Sequence, residues 1–253
     1  MVEYETKGRV AILTIRRPEA RNAVNGEVAR AMEAALDQLE DDTDVWVGIV
    51  AGEGPVFSAG ADLKAISAGQ AADLQTERGG FGGIAHRQRD KPLIAAVDGP
   101  ALAGGCEIAL ACDLVVASTQ ARFGIPEVKR SLVAAAGGLF RLPQALPRNI
   151  ALELALTGDP IDAERAHAFG LVNVLVEPGE ALAGALALAE RITANAPLAV
   201  RASRRVMLGS LGSPEDDGWR LTNEEFSALF RTEDFLEGPR AFIEKRPPAW
   251  KGK

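Results

Sequence analysis

Two glutamates stand where proton transfer could be done. Glu107 closes the run Gly104-Gly105-Cys106-Glu107, and Glu127, twenty positions on (127 − 107), closes Phe123-Gly124-Ile125-Pro126-Glu127. Each acid follows backbone set by Gly or Pro inside apolar sequence. Ionising a carboxyl in such surroundings is costly, so its pKa tends to rise. Two such acids near one another are what general acid/base chemistry at neutral pH uses. Each also has an ordinary reading. Glu107 could be a helix-start acid favoured by the dipole, and Glu127 a loop acid paired with Lys129 or Arg130.

A third segment, Phe57-Ser58-Ala59-Gly60-Ala61-Asp62, follows a strand and sets a Gly between small residues. Asp62 alone reads as a helix cap. The functional reading uses backbone donors: the N–H groups of Ala61 and Gly104, from separate segments, could form an oxyanion hole. Paired glycines at a helix start leave N–H groups bare and let a ligand approach closely.

Other chemistries find little support. His86 and His167 are the only histidines, and both read as residues on helices rather than catalysts. No GxSxG elbow is present, and none of the Gly pairs is followed by the Lys-Ser/Thr of a phosphate loop. Cys106 and Cys112 lie in an apolar run and read as small buried hydrophobes, so no metal site is expected. With 253 residues, 47% hydrophobic and 25% charged, the chain has material for one large core. A net charge of −7 with 5% aromatics speaks against nucleic-acid binding. No apolar stretch reaches membrane-spanning length unbroken, and the start carries no leader pattern. Together with the few cysteines, this gives a cytoplasmic expectation with no membrane partner.

The elements that must hold these residues can be read from periodicity. Residues 1–16 predict two strands around Gly8, the second apolar on both faces. Asn25 caps a helix through about Asp42, with Val28, Met32, Ala35, Leu36 and Leu39 as its apolar stripe. A strand over Val45–Val50 follows. Residues 67–83, polar and Gly-rich, predict a mobile loop, with a helix between it and Pro92. Strand Leu93–Val97, a small-residue helix before Cys112 and strand Leu114–Ala117 come next. Alternating strands and helices to about residue 177 give an α/β core. Beyond Pro178 four helices are predicted: Ala181–Asn195, Pro197–Leu208, Pro214–Phe230 and Glu233–Glu244. The division expected is 1–195 for the core with its site and 196–253 for a helical appendage.

At these residues the chain closely resembles the enoyl-CoA hydratase/isomerase, or crotonase, family. Arg17-Pro18 with Asn22-Ala23 is similar to its early RP…NA signature. Phe57–Lys64, Ala103–Glu107 with Cys112-Asp113, and Phe123–Glu127 are similar to its FsaGaDlk, GGGcE…cD and FgqPE segments. Ala163–Ala166, Gly170–Asn173 and Phe242–Pro247 continue the match. The resemblance implies ββα units coiled into a spiral and a C-terminal helical region that drives homotrimers, often paired into homohexamers. It implies an acyl-CoA thioester substrate, with coenzyme A part of the substrate and no metal or redox cofactor. Ala61 and Gly104 would hold the thioester oxygen as an enolate. Ala23, Ala59, Asp62, Leu63 and Lys64 would contact CoA, and Phe242 and Lys245 would reach the CoA of a neighbouring subunit. Glu107 would activate water for attack at Cβ, and Glu127 would exchange the proton at Cα, as in an enoyl-CoA hydratase. Isomerisation, a specialised dehydration, thioester hydrolysis or a non-catalytic acyl-CoA binder are the alternatives. Ile125, Ala134 and Leu139 depart from the family's Gln, Pro and Thr at positions expected to bear on the acyl pocket.

Overall fold

The computed structural model describes residues 1–253. In chain order the elements begin with β1 (Val2–Lys7), β2 (Val10–Ile15), α1 (Gly26–Asp41), β3 (Val47–Gly52) and α2 (Leu63–Ser67). Next come β4 (Gln75–Thr76), β5 (Gly80–Phe81), β6 (Leu93–Val97), β7 (Ala101–Leu102), α3 (Gly104–Ala111), β8 (Leu114–Ser118) and β9 (Arg122–Gly124). Then follow α4 (Gly138–Ala145), α5 (Arg148–Thr157), β10 (Ile161–Asp162), α6 (Ala163–Ala168) and β11 (Val174–Val176). The chain closes with α7 (Ala181–Thr193), α8 (Pro197–Gly209), α9 (Glu215–Leu229) and α10 (Glu233–Glu244).

The main sheet runs β1-β2-β3-β6-β8-β11. Only β1 is antiparallel to its neighbour; the other pairings are parallel. Parallel strands are covered on both faces, which is why β2 reads as continuously apolar. Ala11, Leu13, Val50, Leu93 and Val115 face one core with α1, while Val10, Val47, Ile49, Ile94 and Val116 face a second with α7. On α7, Ala181, Ala185 and Ala189 form an i, i+4 stripe of small residues that lies close on the sheet. Asn25 caps α1 as expected, its side chain accepting from the Val28 N–H at 2.9 Å, and all five stripe residues are buried. A second sheet, β10-β9-β7, stands apart and carries the site segments.

Three expectations need correction. The strand placed at Val45–Val50 is β3, two residues later, because Trp46 N–H turns to the Arg9 carbonyl at 2.8 Å before the ladder begins. Residues 67–83 are not a mobile loop. They hold a 3-10 turn and the β4–β5 hairpin, fixed to α1 by Glu33, which accepts from Thr76 Oγ1 at 2.6 Å and the Gly79 N–H at 2.8 Å. No helix immediately precedes Pro92: residues 82–86 form turns and 87–90 are irregular, with Arg87 and Arg78 paired to Asp37. His86 is exposed on that turn rather than on a helix face. No helix is long and apolar enough to cross a membrane.

Asn22 joins the first half of the fold. It is fully buried and its side chain accepts from Arg17 N–H at 2.9 Å. Its amide donates to the Glu53 and Val56 carbonyls at 2.9 and 2.7 Å. An Asn22→Ala variant leaves three part-buried backbone groups without their side-chain partner. At roughly 1–3 kcal/mol for each unsatisfied group, the loss is about 3 kcal/mol or more. Thermal unfolding of the variant should drop by roughly 6–12 °C; a shift under about 2 °C contradicts this role.

Candidate active site

Backbone geometry assembles the two donors. Val24 and Ala61 form a parallel bridge in which Val24 N–H donates to the Gly60 carbonyl at 2.7 Å and Asp62 N–H to the Val24 carbonyl at 2.9 Å. That pattern turns the Ala61 N–H away from Val24, and no acceptor in the protein meets it. The Gly104 N–H, in the open first turn of α3, likewise has none. The two segments touch. Gly60 sits at φ +85, and a Cβ there would lie 2.7 Å from the Gly104 nitrogen. The Phe81 ring packs against Gly104 so closely that a Cβ on Gly104 would collide with it.

Ala103 holds φ 52 and ψ −130, a conformation costly for a residue with a Cβ. Its N–H donates to the Gly124 carbonyl at 2.9 Å, and β7 pairs with β9 through Ala101↔Phe123 and Leu102↔Gly124. The strand that launches α3 is thus zipped to the strand that leads into Glu127. Ser58 is bridged to Ala101, its Oγ donating to the Asn22 carbonyl at 2.9 Å and accepting from Gly60 N–H at 3.2 Å.

Glu107 is 3% exposed, in the first turn of α3. Its Oε1 accepts from the N–H groups of Ala136 (2.7 Å) and Gly138 (2.9 Å). Burial pushes its pKa up; those two N–H groups oppose the rise, and the nearby Glu127 adds to it. Glu127 lies half-buried on the 3-10 turn Pro126–Arg130. Burial raises its pKa as well, against its own backbone N–H and Arg130. Its Oε2 is buried without a hydrogen-bond partner. Lys129 does not pair with it: that cation is engaged by Asp159 at 2.5 Å. Burial thus raises the pKa of both acids, one held by a backbone cradle and one with an unmet oxygen.

The structure brings together Ala61, Gly104, Glu107 and Glu127. Asp62 caps α2, accepting from Lys64 and Ala65 N–H at 3.0 and 3.3 Å, and pairs with Arg17 at 3.1 Å. Burial opposes ionisation there, but Arg17 and the two N–H groups hold its carboxyl below the usual range. Ala23 is buried, its carbonyl taken by Arg17 at 2.6 Å, and Ala59 N–H donates to the Arg21 carbonyl at 3.0 Å. Leu63 and Lys64 are exposed on α2. Phe242, 86% exposed, and Lys245 stand on and just past α10 with no hydrogen bond to the site segments. Ile125 and Ala134 are core residues, while Leu139 is half exposed. A cavity of about 940 Å³ lies elsewhere, between α3, α4 and α8, beside Cys112, Arg141 and Arg204. Neither acid and neither free donor lines it.

Sequence reasoning missed the Ala136–Gly138 cradle, Phe81 and Arg141. The cradle had one signal: Gly137-Gly138 without a phosphate-loop context. Gly137 takes φ +106, which bends the chain so that the N–H groups of residues on either side of it meet one carboxylate oxygen.

Comparison with known proteins decides the family. A profile described as enoyl-CoA hydratase/isomerase matches residues 5–253. The chain belongs to the enoyl-CoA hydratase/isomerase family. A carnitinyl-CoA dehydratase of Salmonella typhi is 39% identical over 252 residues, covering 97% of this chain and 96% of that protein. The crystal structure of an enoyl-CoA hydratase from Mycobacterium tuberculosis H37Rv is 51% identical and superposes with a TM-score of 0.96, covering 100% and 99% of the two chains. That of a carnitinyl-CoA hydratase from Mycobacterium avium is 50% identical with a TM-score of 0.78, covering 100% and 98%. The α/β architecture and the crotonase fold expected from sequence are those of these structures.

Two predictions rest on this geometry. A carboxyl whose native pKa lies above its unfolded value makes the native chain bind more protons. Stability is then lost as pH rises from the ordinary carboxylate range to the native value. Glu127→Gln removes that loss, so its melting temperature relative to the parent should rise between pH 4 and pH 8. A flat or falling difference contradicts the raised pKa. Ala103→Gly relieves about 1–3 kcal/mol of backbone strain, offset by about 0.5–1 kcal/mol of added unfolded-state freedom. It should melt at or above the parent temperature while turnover falls, measured by calorimetry and by steady-state rates.

Proposed function

We propose that the protein is an acyl-CoA hydratase that adds water reversibly, and syn, to a 2-trans-enoyl-CoA. One observation supports this above the rest: a buried and a half-buried acid, both with raised pKa values, beside two N–H donors that have no acceptor. The Glu107 carboxylate takes a proton from water as the water oxygen bonds to Cβ. The C2–C3 π electrons move onto the thioester carbonyl, whose oxygen becomes an enolate between the Ala61 and Gly104 N–H groups. Glu127 in its acid form then protonates Cα as the carbonyl re-forms. Run backwards, the same steps dehydrate a 3-hydroxyacyl-CoA.

Coenzyme A would lie along Ala23, Ala59, Asp62, Leu63 and Lys64, with Asp62 fixing the turn. Phe242 and Lys245 face outward, which suits contact with CoA on a neighbouring copy. The exposed apolar faces of α8–α10, with Met207, Trp219 and Leu236 among them, suit residues 196–253 to assembly as a trimer or hexamer. A second reading of the acyl group, a carnitinyl type, is favoured by the relatives so named. The segment from Glu127 to the cradle instead exposes Leu132, Val133, Leu139 and Phe140, an apolar surface that favours a hydrocarbon tail.

Glu107→Gln and Glu127→Gln should each lower turnover of crotonyl-CoA by about 10²–10⁴-fold while leaving binding of a saturated acyl-CoA intact. Retained hydration in either variant overturns the mechanism. Hydration of crotonyl-CoA compared with dehydration of carnitinyl-CoA, read as kcat/KM, decides between the acyl groups: the higher value is expected for the uncharged tail.

A further inference from the structure

Arg141 on α4 is a half-buried guanidinium with no carboxylate within ion-pair distance. Most of the other shielded arginines have one: Arg17 has Asp62, Arg87 has Asp37, and Arg89 and Arg204 share Asp113. Arg141 instead spends its hydrogen bonds on backbone. Nη1 donates to the Ala136 carbonyl at 3.1 Å, and Nη2 donates to the Ala85 carbonyl at 2.7 Å. Ala136 is the residue whose own N–H holds Glu107 Oε1. The guanidinium also lies over Gly137, the left-handed residue at the centre of the cradle, and beside the Phe140 ring at 5.1 Å.

We propose that Arg141 is a positioning residue for Glu107, stapling the Ala136–Gly138 backbone to the turn at Ala85 and supplying the one fixed cation that faces this carboxylate.

Geometry carries the first half. Two peptide N–H groups can hold one carboxylate oxygen only while the backbone bearing them stays still, and the fork of Arg141 ties that backbone to the Ala85 carbonyl, 56 positions before Arg141 in the chain. Electrostatics carries the second. Guanidinium does not deprotonate in proteins, so the charge is permanent. The groups that face Glu107 are few. The 3-10 turn contributes Glu127, which raises its pKa, and α4 contributes Arg141, which lowers it. On α3 itself the Cys106 thiol is pushed to about 12 and stays neutral. β7 offers only Ala101 and Leu102, and the β5 turn offers the Phe81 ring. Arg141 therefore counters burial and Glu127 and keeps Glu107 available as a base.

This inference rests on Glu107 acting as the base of a hydration. The test compares the parent with Arg141→Gln, Arg141→Lys and Glu107→Gln, measuring kcat and kcat/KM for crotonyl-CoA hydration from pH 5 to 9. Arg141→Gln loses the charge and the fork. Its acid limb in kcat/KM should move to higher pH, and kcat should fall by up to about 10²-fold with KM little changed. Arg141→Lys keeps the charge but not the fork, so its acid limb should stay in place while kcat falls less. An unmoved limb in Arg141→Gln, or an equal movement in both variants, overturns the electrostatic half. Unchanged kcat in both overturns the staple. If Arg141→Gln does not fold, Arg141→Lys decides alone: a fixed limb with lowered kcat supports the proposal, and a moved limb or unchanged kcat overturns it. An active Glu107→Gln sinks the hydratase reading itself, whereas an inactive one beside normal Arg141 variants sinks only this inference.

Discussion

Leu102 and Gly124 lie side by side in a two-rung parallel ladder, and the Ala103 N–H reaches the Gly124 carbonyl at 2.9 Å. This short pairing sets the position of everything reactive. On one strand it aims the open end of α3, with the bare Gly104 N–H and Glu107 one turn along. On the other it delivers Ile125 and Pro126, and so Glu127. The Ser58↔Ala101 bridge adds the third segment, carrying Ala61. Ala103 could not hold a positive φ on its own; the ladder and the buried helix start over-determine it. Strain next to an N–H without an acceptor is consistent with a segment built for geometry rather than for stability.

The electrostatics follow from where the ladder puts the acids. Buried carboxyls resist ionisation, and a neighbouring carboxylate strengthens that resistance. Glu107 and Glu127 are not equivalent, however. Glu107 has two N–H donors and a cation on its side, which favour the carboxylate. Glu127 has an oxygen left buried without a partner, which favours the acid. Environments that separate two similar groups in this way suit the proposed division, in which one takes a proton and the other gives it.

Much of this was legible in the residues. Asn25 and the stripe from Val28 to Leu39 predicted α1 almost to the residue, because capping and 3.6-residue periodicity are local. The four C-terminal helices were legible for the same reason. Residues 67–90 were not. The β4–β5 hairpin pairs only two residues per strand, and what orders it is Glu33, over forty positions away on α1. Polar, glycine-rich sequence looks mobile until such a partner is known. Trp46 fell inside the strand expected at Val45–Val50, but its N–H is claimed by the Arg9 carbonyl before β3 begins.

By itself the sequence determined the α/β class, α1, the C-terminal helices, the two acids and the two candidate donor positions, since these are matters of residue type and local pattern. The family resemblance added the substrate class. Only the tertiary structure decided which groups meet. It placed Gly60 against Gly104, wrapped Ala136 and Gly138 around Glu107, left one oxygen of Glu127 without a partner, and took Asp62 into a cap with Arg17. Those outcomes depend on contacts between segments far apart in the chain, where a carboxylate's partners and its loss of water are fixed by packing. Residue type marked Glu107 and Glu127 as candidates, and burial and hydrogen bonding made the two acids unlike.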